Sequence, residues 1–319
     1  MRAVSSATQR RRRTQILIAW LISFAIFGLA AFMIISEWSN FQKSLDALRG
    51  ASVWSGVGAF ACIAVAIAGG ALVYSAIALR RATYSSLLLV SWAGMFINRL
   101  LPAGAGGIGL FMDYFLRRGH KTFEASGVIA LSSILTFAGH AGLIVLVTLT
   151  GLSSLEGAIR VPSWLPVALG CISALIILSL VLLRGQLRAR VVRWRQELER
   201  PFRHLASKPG RFLVAQSGAL LNTLGHAGAL YIAMVACGVD IGFADAIIVL
   251  AGGVVAATVS PTPGGLVGAE AGLAGAMLLY GAAPVDALAA ALLYRLVSYW
   301  IPLFFGIIAL VLSRRKGYI

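Results

Sequence analysis

Long apolar stretches without a charged residue alternate with short polar gaps along this chain. The charge-free runs cover 14–36, 50–79, 82–98, 125–155, 161–183, 212–239, 246–269 and 287–294, the last continued by 296–313. Six predicted helices, at about 15–36, 52–79, 123–151, 164–183, 212–238 and 287–313, have the roughly 20 residues that cross a ~30 Å hydrocarbon core. Two segments, 84–116 and 245–281, do not fit this scheme. The first is interrupted by Leu100-Leu101-Pro102-Ala103-Gly104-Ala105-Gly106-Gly107, the second by Ser260-Pro261-Thr262-Pro263-Gly264-Gly265. Their flanking pieces (84–101, 104–116, 245–260 and 266–281) make helices of only about 20–27 Å at about 1.5 Å per residue. Three of the four are clearly too short to span.

The polar gaps sort by charge. One alternate set carries Arg10 to Arg13, Arg80-Arg81, Arg117-Arg118-Lys121, Arg184 to Arg211 and Arg314-Arg315-Lys316. The other holds only Lys43, Arg49 and Arg160 among basic residues, with Glu37, Asp46, Glu156, Asp240, Asp245 and Asp286. An excess of Lys and Arg marks the cytoplasmic side, so both termini are expected there. Residues 84–116 then enter and leave on the cytoplasmic side, and 245–281 on the outer side. The expected fold is an all-α polytopic membrane protein with six full spans plus two re-entrant helical hairpins in an inverted repeat. Each half runs helix, helix, hairpin, helix. Pro102 aligns with Pro261, Gly106 with Gly265 and Gly109 with Gly268, and Ile134-Leu135-Thr136-Phe137 runs parallel to Leu296-Val297-Ser298-Tyr299. The competing arrangement is eight or so ordinary spans with proline kinks. It would put Arg117-Arg118-Lys121 or the acid-only 282–286 turn on the wrong side.

The expected boundaries are a basic tail at 1–14, a first membrane repeat at 15–151 with hairpin 84–116, a linking span at 152–183, a basic connector at 184–211, a second repeat core at 212–313 with hairpin 245–281, and a tail at 314–319. The Arg10–Arg13 run before an apolar stretch resembles a secretory signal, but no small-residue cleavage pattern follows, and an uncleaved first helix is expected. In the connector Trp194 and Phe202 interleave with arginines, as in an amphipathic helix on the inner leaflet. It is too short for a catalytic domain.

Composition agrees with a multi-pass membrane protein: 59% hydrophobic, 12% charged, mean hydropathy +0.89. The net charge of +16 follows topology and contact with an anionic inner leaflet, not nucleic acid. Cys62, Cys171 and Cys237 all fall in apolar stretches and form no disulfide frame or metal spacing.

Four ionisable residues fall at membrane depth: Arg99, Asp113, Glu270 and Arg295. Each costs about 2.5–3.5 kcal/mol on insertion scales and so needs a partner or a cavity. One arrangement is two salt bridges, Arg99–Asp113 and Glu270–Arg295, that hold the hairpins shut. The other gives Arg295, flanked by Tyr294, Tyr299 and Trp300, a lipid phosphate, for which a guanidinium is a planar fork. Helix N-termini near Gly104 and Gly265 would add free N–H groups, and the glycines would let a headgroup approach the backbone. His140 and His226 sit in Gly-His-Ala-Gly stretches, which suit close helix packing or a proton-coupling role. Asn98, Asn222 and Thr223 are equally ambiguous. No catalytic constellation, metal motif or cofactor signature is visible, so no enzyme activity is expected.

Pro261-Thr262-Pro263-Gly264-Gly265-Leu266-Val267-Gly268-Ala269-Glu270 and the 291–306 stretch Ala-Leu-Leu-Tyr-Arg-Leu-Val-Ser-Tyr-Trp-Ile-Pro-Leu-Phe-Phe-Gly resemble the lysylphosphatidylglycerol synthase transmembrane region, also called flippase-like or UPF0104 membrane proteins. Asn98-Arg99-Leu100-Leu101-Pro102 with Gly104 and Gly106, and Tyr114-Phe115-Leu116-Arg117-Arg118, are similar as well. The resemblance spans about 15–313. It implies a flippase-type unit with re-entrant helices that moves modified phospholipid between leaflets, with Pro261, Pro263, Gly264, Gly265, Glu270 and Arg295 functional. Two positions depart from the family pattern: Gly107 stands where an acidic residue is frequent, and Ser132-Ser133 where an arginine is. The cytosolic aminoacyl-transferase domain of bifunctional members is absent, so lysyl transfer is not expected. The expected function is a flippase-like transporter of an anionic or modified phospholipid or polyprenyl-phosphate lipid. The alternatives are an accessory subunit presenting lipid to a partner transferase, and an intramembrane lipid transferase. Homo-oligomerisation is left open.

Overall fold

A computed structural model describes Asp46, residues 50–100, 105–152 and 198–260, Gly265 and residues 267–319. The expected spans at 15–36 and 164–183 lie outside the described residues, as do Pro102, Gly104, Pro261, Pro263 and Gly264. Among the described residues every regular element is a helix and no strand occurs. In chain order they are α1 (Val53–Ile77), α2 (Tyr84–Leu100), α3 (Ala105–Arg117), α4 (Thr122–Leu149), α5 (Pro209–Ala236), α6 (Phe243–Val259), α7 (Gly268–Leu279), α8 (Pro284–Arg295) and α9 (Ile301–Arg315). A π-helical turn, Leu296–Trp300, joins α8 to α9.

Helices α1, α4, α5 and the continuous run Pro284–Arg315 are long and apolar enough to cross a membrane, whereas α6 and α7 are short apolar helices. Their ends are encoded locally. Ser52 caps α1 by accepting the Trp54 N–H at 3.2 Å. Pro209 and Pro284 stand in the first turns of α5 and α8, where a missing N–H costs least.

The central contact is between α1 and α5, and it is made by glycine. A Cβ added at Gly218 would lie 2.6 Å from the Gly69 carbonyl oxygen, and one at Gly225 2.6 Å from that of Cys62. Lipid supplies no hydrophobic drive for helices to associate, so close backbone approach through small residues supplies dispersion contact instead. Further along, Gly306 lets α9 lie against Trp92 and Phe96 of α2.

Both interrupted segments fold back on themselves. The Arg80 N–H, before α2, donates to His120 Nε2, after α3, at 3.3 Å. Between these helices Gly106 packs on Ile97, and Asn98 Oδ1 accepts the Gly107 N–H. In the second segment Gly252 of α6 faces Ala276 of α7, and Gly272 faces Ala256. Val239 and Ile241, before α6, share one core cluster with Ala282, after α7.

The described part of the connector is docked on protein. Leu205 is 2% exposed and belongs to the cluster built around Tyr114 and Phe115. Arg200 Nη1 donates to Glu124 Oε1 at 2.9 Å, and Glu124 also takes the Lys121 N–H. Phe202 is 59% exposed, which leaves an apolar side chain free to touch lipid.

Candidate functional site

The helix ends that flank the two breaks, the last turn of α2 and the first turn of α7, meet near the π turn. Arg295 closes α8 and is 8% exposed; its Nε donates to Glu270 Oε1 at 2.7 Å. Glu270 stands in the first turn of α7, where the helix dipole favours a carboxylate. Arg99, in the last turn of α2, donates through Nη2 to the Ser298 carbonyl at 2.9 Å. Both guanidiniums lie over the Tyr299 ring, at 4.5 Å from its centroid for Arg99 and 4.4 Å for Arg295. Such cation–π contacts are stronger where water is excluded.

Local sequence prepares the turn for this role. In a regular α-helix the Ser298 carbonyl would take the N–H of residue 302, which is Pro302 and has none. The Arg99 side chain supplies the donor instead. π turns inside helices recur at functional sites, and this one brings Ser298 and Tyr299 to the arginines.

The charges do not balance. Two guanidiniums, which cannot lose their protons in a protein, face one carboxylate among the described residues. Arg99 Nε and Glu270 Oε2 are buried without a hydrogen-bond partner. Asp113 offers no relief: it pairs with Arg117 at 3.0 Å, and both side chains are about half exposed. The salt bridge Arg99–Asp113 therefore does not form, because one turn of helix brings Arg117 beside Asp113 while Arg99 crosses to the π turn. Glu270–Arg295 does form.

Arg99, Arg295, Ser298, His226 and Tyr294 border a cavity of about 120 Å³. His226, Tyr294, Leu250 and Val254 also border an adjoining chamber of about 510 Å³. His226 Nδ1 and the Tyr294 hydroxyl are 3.0 Å apart and divide the two spaces. Among the described residues no group of three His, Cys, Asp or Glu side chains could hold a metal ion. The chemistry on offer is recognition of an anion.

Residues 10–306 match the sequence profile of the lysylphosphatidylglycerol synthase TM region. The chain belongs to that family. It is accordingly a multi-pass membrane protein of a family that acts on lipids. No curated protein matches it.

For this member of the lysylphosphatidylglycerol synthase TM-region family, the residues expected to matter divide into four groups. Arg99, Glu270, Arg295, Tyr294 and Tyr299 converge on one site. Gly106 and Gly265 serve packing. Gly265 has φ +66°, and its missing Cβ would strike Ala257. Two residues on, Val267 also has φ 68°. A β-branched residue there costs about 1–3 kcal/mol and is held only by its surroundings. It stands directly before the turn that carries Glu270. Asp113 is remote from the site, and Pro102, Gly104, Pro261, Pro263 and Gly264 lie outside the described residues. At the first break Asn98 already takes the Gly107 N–H, so that helix end has one fewer donor for a headgroup. The Ser298 carbonyl was not foreseen, although Pro302 four residues later is its signal. Ser132 and Ser133 stand out in the sequence only as a departure from the family pattern, and the cavity role of Thr136 has no sequence signal beyond polarity in an apolar run.

Proposed function

We propose that this protein is a flippase-like transporter that moves an anionic or modified phospholipid, or a polyprenyl-phosphate lipid, between membrane leaflets. The phosphate would sit against Arg99 and Arg295, with Glu270 and Tyr299 holding Arg295 in place between substrates and the acyl chains remaining in lipid. The observation that carries this is the buried excess of positive charge beside a cavity. Burying a charge without a full complement is costly, and an anionic ligand would complete it.

The two folded-back segments are taken as re-entrant hairpins from opposite faces, related as an inverted repeat, in a bacterial cytoplasmic membrane with both termini inside. Support comes from the contacts that join Arg80, His120, Glu124 and Arg200, and from Val239, Ile241 and Ala282 lying together in a separate cluster.

Reconstituted protein should speed exchange of a fluorescent anionic phospholipid between leaflets at least tenfold over empty liposomes, and Arg295→Ala should remove most of that gain. Exchange no faster than in empty liposomes, with correctly folded protein, would remove the transport role.

A further inference from the structure

The chamber of about 510 Å³ next to the arginines is larger than a phosphate needs and falls within the size range of ligand pockets. Besides the Tyr74, His226 and Tyr294 side chains, its polar lining includes Ser132, Ser133, Thr136, His140, Asn222 and Thr223, and among the described residues no Asp, Glu, Lys or Arg borders it. Thr136 and Thr223 stand near the midpoints of α4 and α5, at membrane depth. The apolar stretches 14–36 and 161–183, outside the described residues, hold no charged residue in the sequence either.

The lining groups retain bonding capacity. The Ser133 hydroxyl donates to the Ile129 carbonyl at 3.1 Å, which leaves its lone pairs to accept, whereas Ser132 donates to the same carbonyl at 2.7 Å and also bonds the Tyr74 hydroxyl. Asn222 Nδ2 donates to the Ala66 carbonyl at 2.9 Å, which leaves Oδ1 and a second N–H. His140 Nε2 is buried and has no partner among the described residues. Mixed donors and acceptors without net charge suit a ligand whose groups both donate and accept, and hydroxyls do so. An ammonium would meet no carboxylate in the chamber and would lie near two guanidiniums offset by one Glu270, an arrangement that disfavours it.

We infer that this chamber is a headgroup pocket for a neutral, hydroxyl-bearing substituent on the lipid phosphate, such as a glycerol or a sugar, and that it rejects cationic aminoacyl headgroups. This rests on the anionic-lipid site at Arg99 and Arg295 proposed above.

Direct binding to the purified full chain tests it independently of transport. Native mass spectrometry would compare phosphatidylglycerol with phosphatidic acid, glucosyl polyprenyl phosphate with bare polyprenyl phosphate, and each with lysylphosphatidylglycerol. At least one hydroxyl-bearing lipid should bind about tenfold more tightly than its bare phosphate and than the lysyl lipid, as one or two hydrogen bonds would give; which pair shows the gain tells glycerol from sugar. Thr136→Asp, or Ser133→Asp, places a carboxylate in the chamber and should turn the preference toward the lysyl lipid. Lysylphosphatidylglycerol binding as tightly as phosphatidylglycerol, or bare phosphates binding as tightly as both decorated lipids, would overturn the pocket while leaving the phosphate site intact. Binding of none of these lipids would overturn both.

Discussion

Arg295 and Arg99 differ in what each would leave behind if removed. Arg295 is the partner of Glu270, whose second oxygen is already buried without one. Arg295→Ala strands that carboxylate and should cost about 3–5 kcal/mol of stability. Glu270→Gln keeps an acceptor for the Arg295 Nε–H but leaves two buried guanidiniums facing no carboxylate among the described residues, so it should destabilise as well, and the double variant should recover part of the loss. Thermal unfolding of the three proteins in one detergent checks this; a double variant whose loss equals the sum of the two single losses would contradict the pairing. The sequence marks these residues because charge in an apolar run is expensive. It does not mark their partners, since Arg99 and Ser298 are 199 positions apart and Asp113 is a nearer carboxylate in the chain.

Among the elements, the α1–α5 crossing leaves no room for a side chain at its glycines. Gly225 would place a Cβ 2.6 Å from the Cys62 carbonyl oxygen, whereas Gly142 on α4 has nothing within 4 Å. Gly225→Ala should therefore destabilise by about 1–3 kcal/mol, and Gly142→Ala should be neutral or slightly stabilising. Comparable unfolding temperatures for the two would contradict the packing. The turn between α3 and α4 makes a pH prediction. His120 is 3% exposed, with Nδ1 3.1 Å from the Phe115 carbonyl and Nε2 accepting from Arg80. The neutral ring satisfies both contacts. Burial pushes its pKa below the ordinary value of about 6.5. The unfolded chain then binds the proton more readily, so this contribution is full above pH ~6.5 and is lost as pH falls toward the lowered value. Stability should decline from pH 7.5 to 5.5, and His120→Asn should decline less; identical slopes would exclude the ring as the cause. Helix positions were legible because apolar length is a strong signal, and the breaks because proline and glycine interrupt it. The π turn was not, because Leu296–Trp300 reads as ordinary apolar helix until Pro302 is set against the Ser298 carbonyl.

At the scale of the molecule, charge distribution along the chain anticipated that two segments fold back, and the Arg80–His120 contact joins the two ends of the first. What charge distribution could not show is that the last turns of α2 and α8 and the first turn of α7 bring their charges to one place beside the π turn. That convergence depends on glycine contacts such as Gly306 against α2 and Gly272 against α6, and glycine is too common in membrane helices to single these out beforehand. The same convergence makes the site a poor structural clasp, because a clasp would balance its charges. Arg99→Gln separates binding from structure: it can keep a donor for the Ser298 carbonyl while removing the surplus charge. Measured side by side in one preparation, its unfolding temperature should equal or exceed that of the wild type, while its rate of anionic-lipid exchange in liposomes should fall at least tenfold. Exchange at the wild-type rate in a folded Arg99→Gln protein would contradict the account.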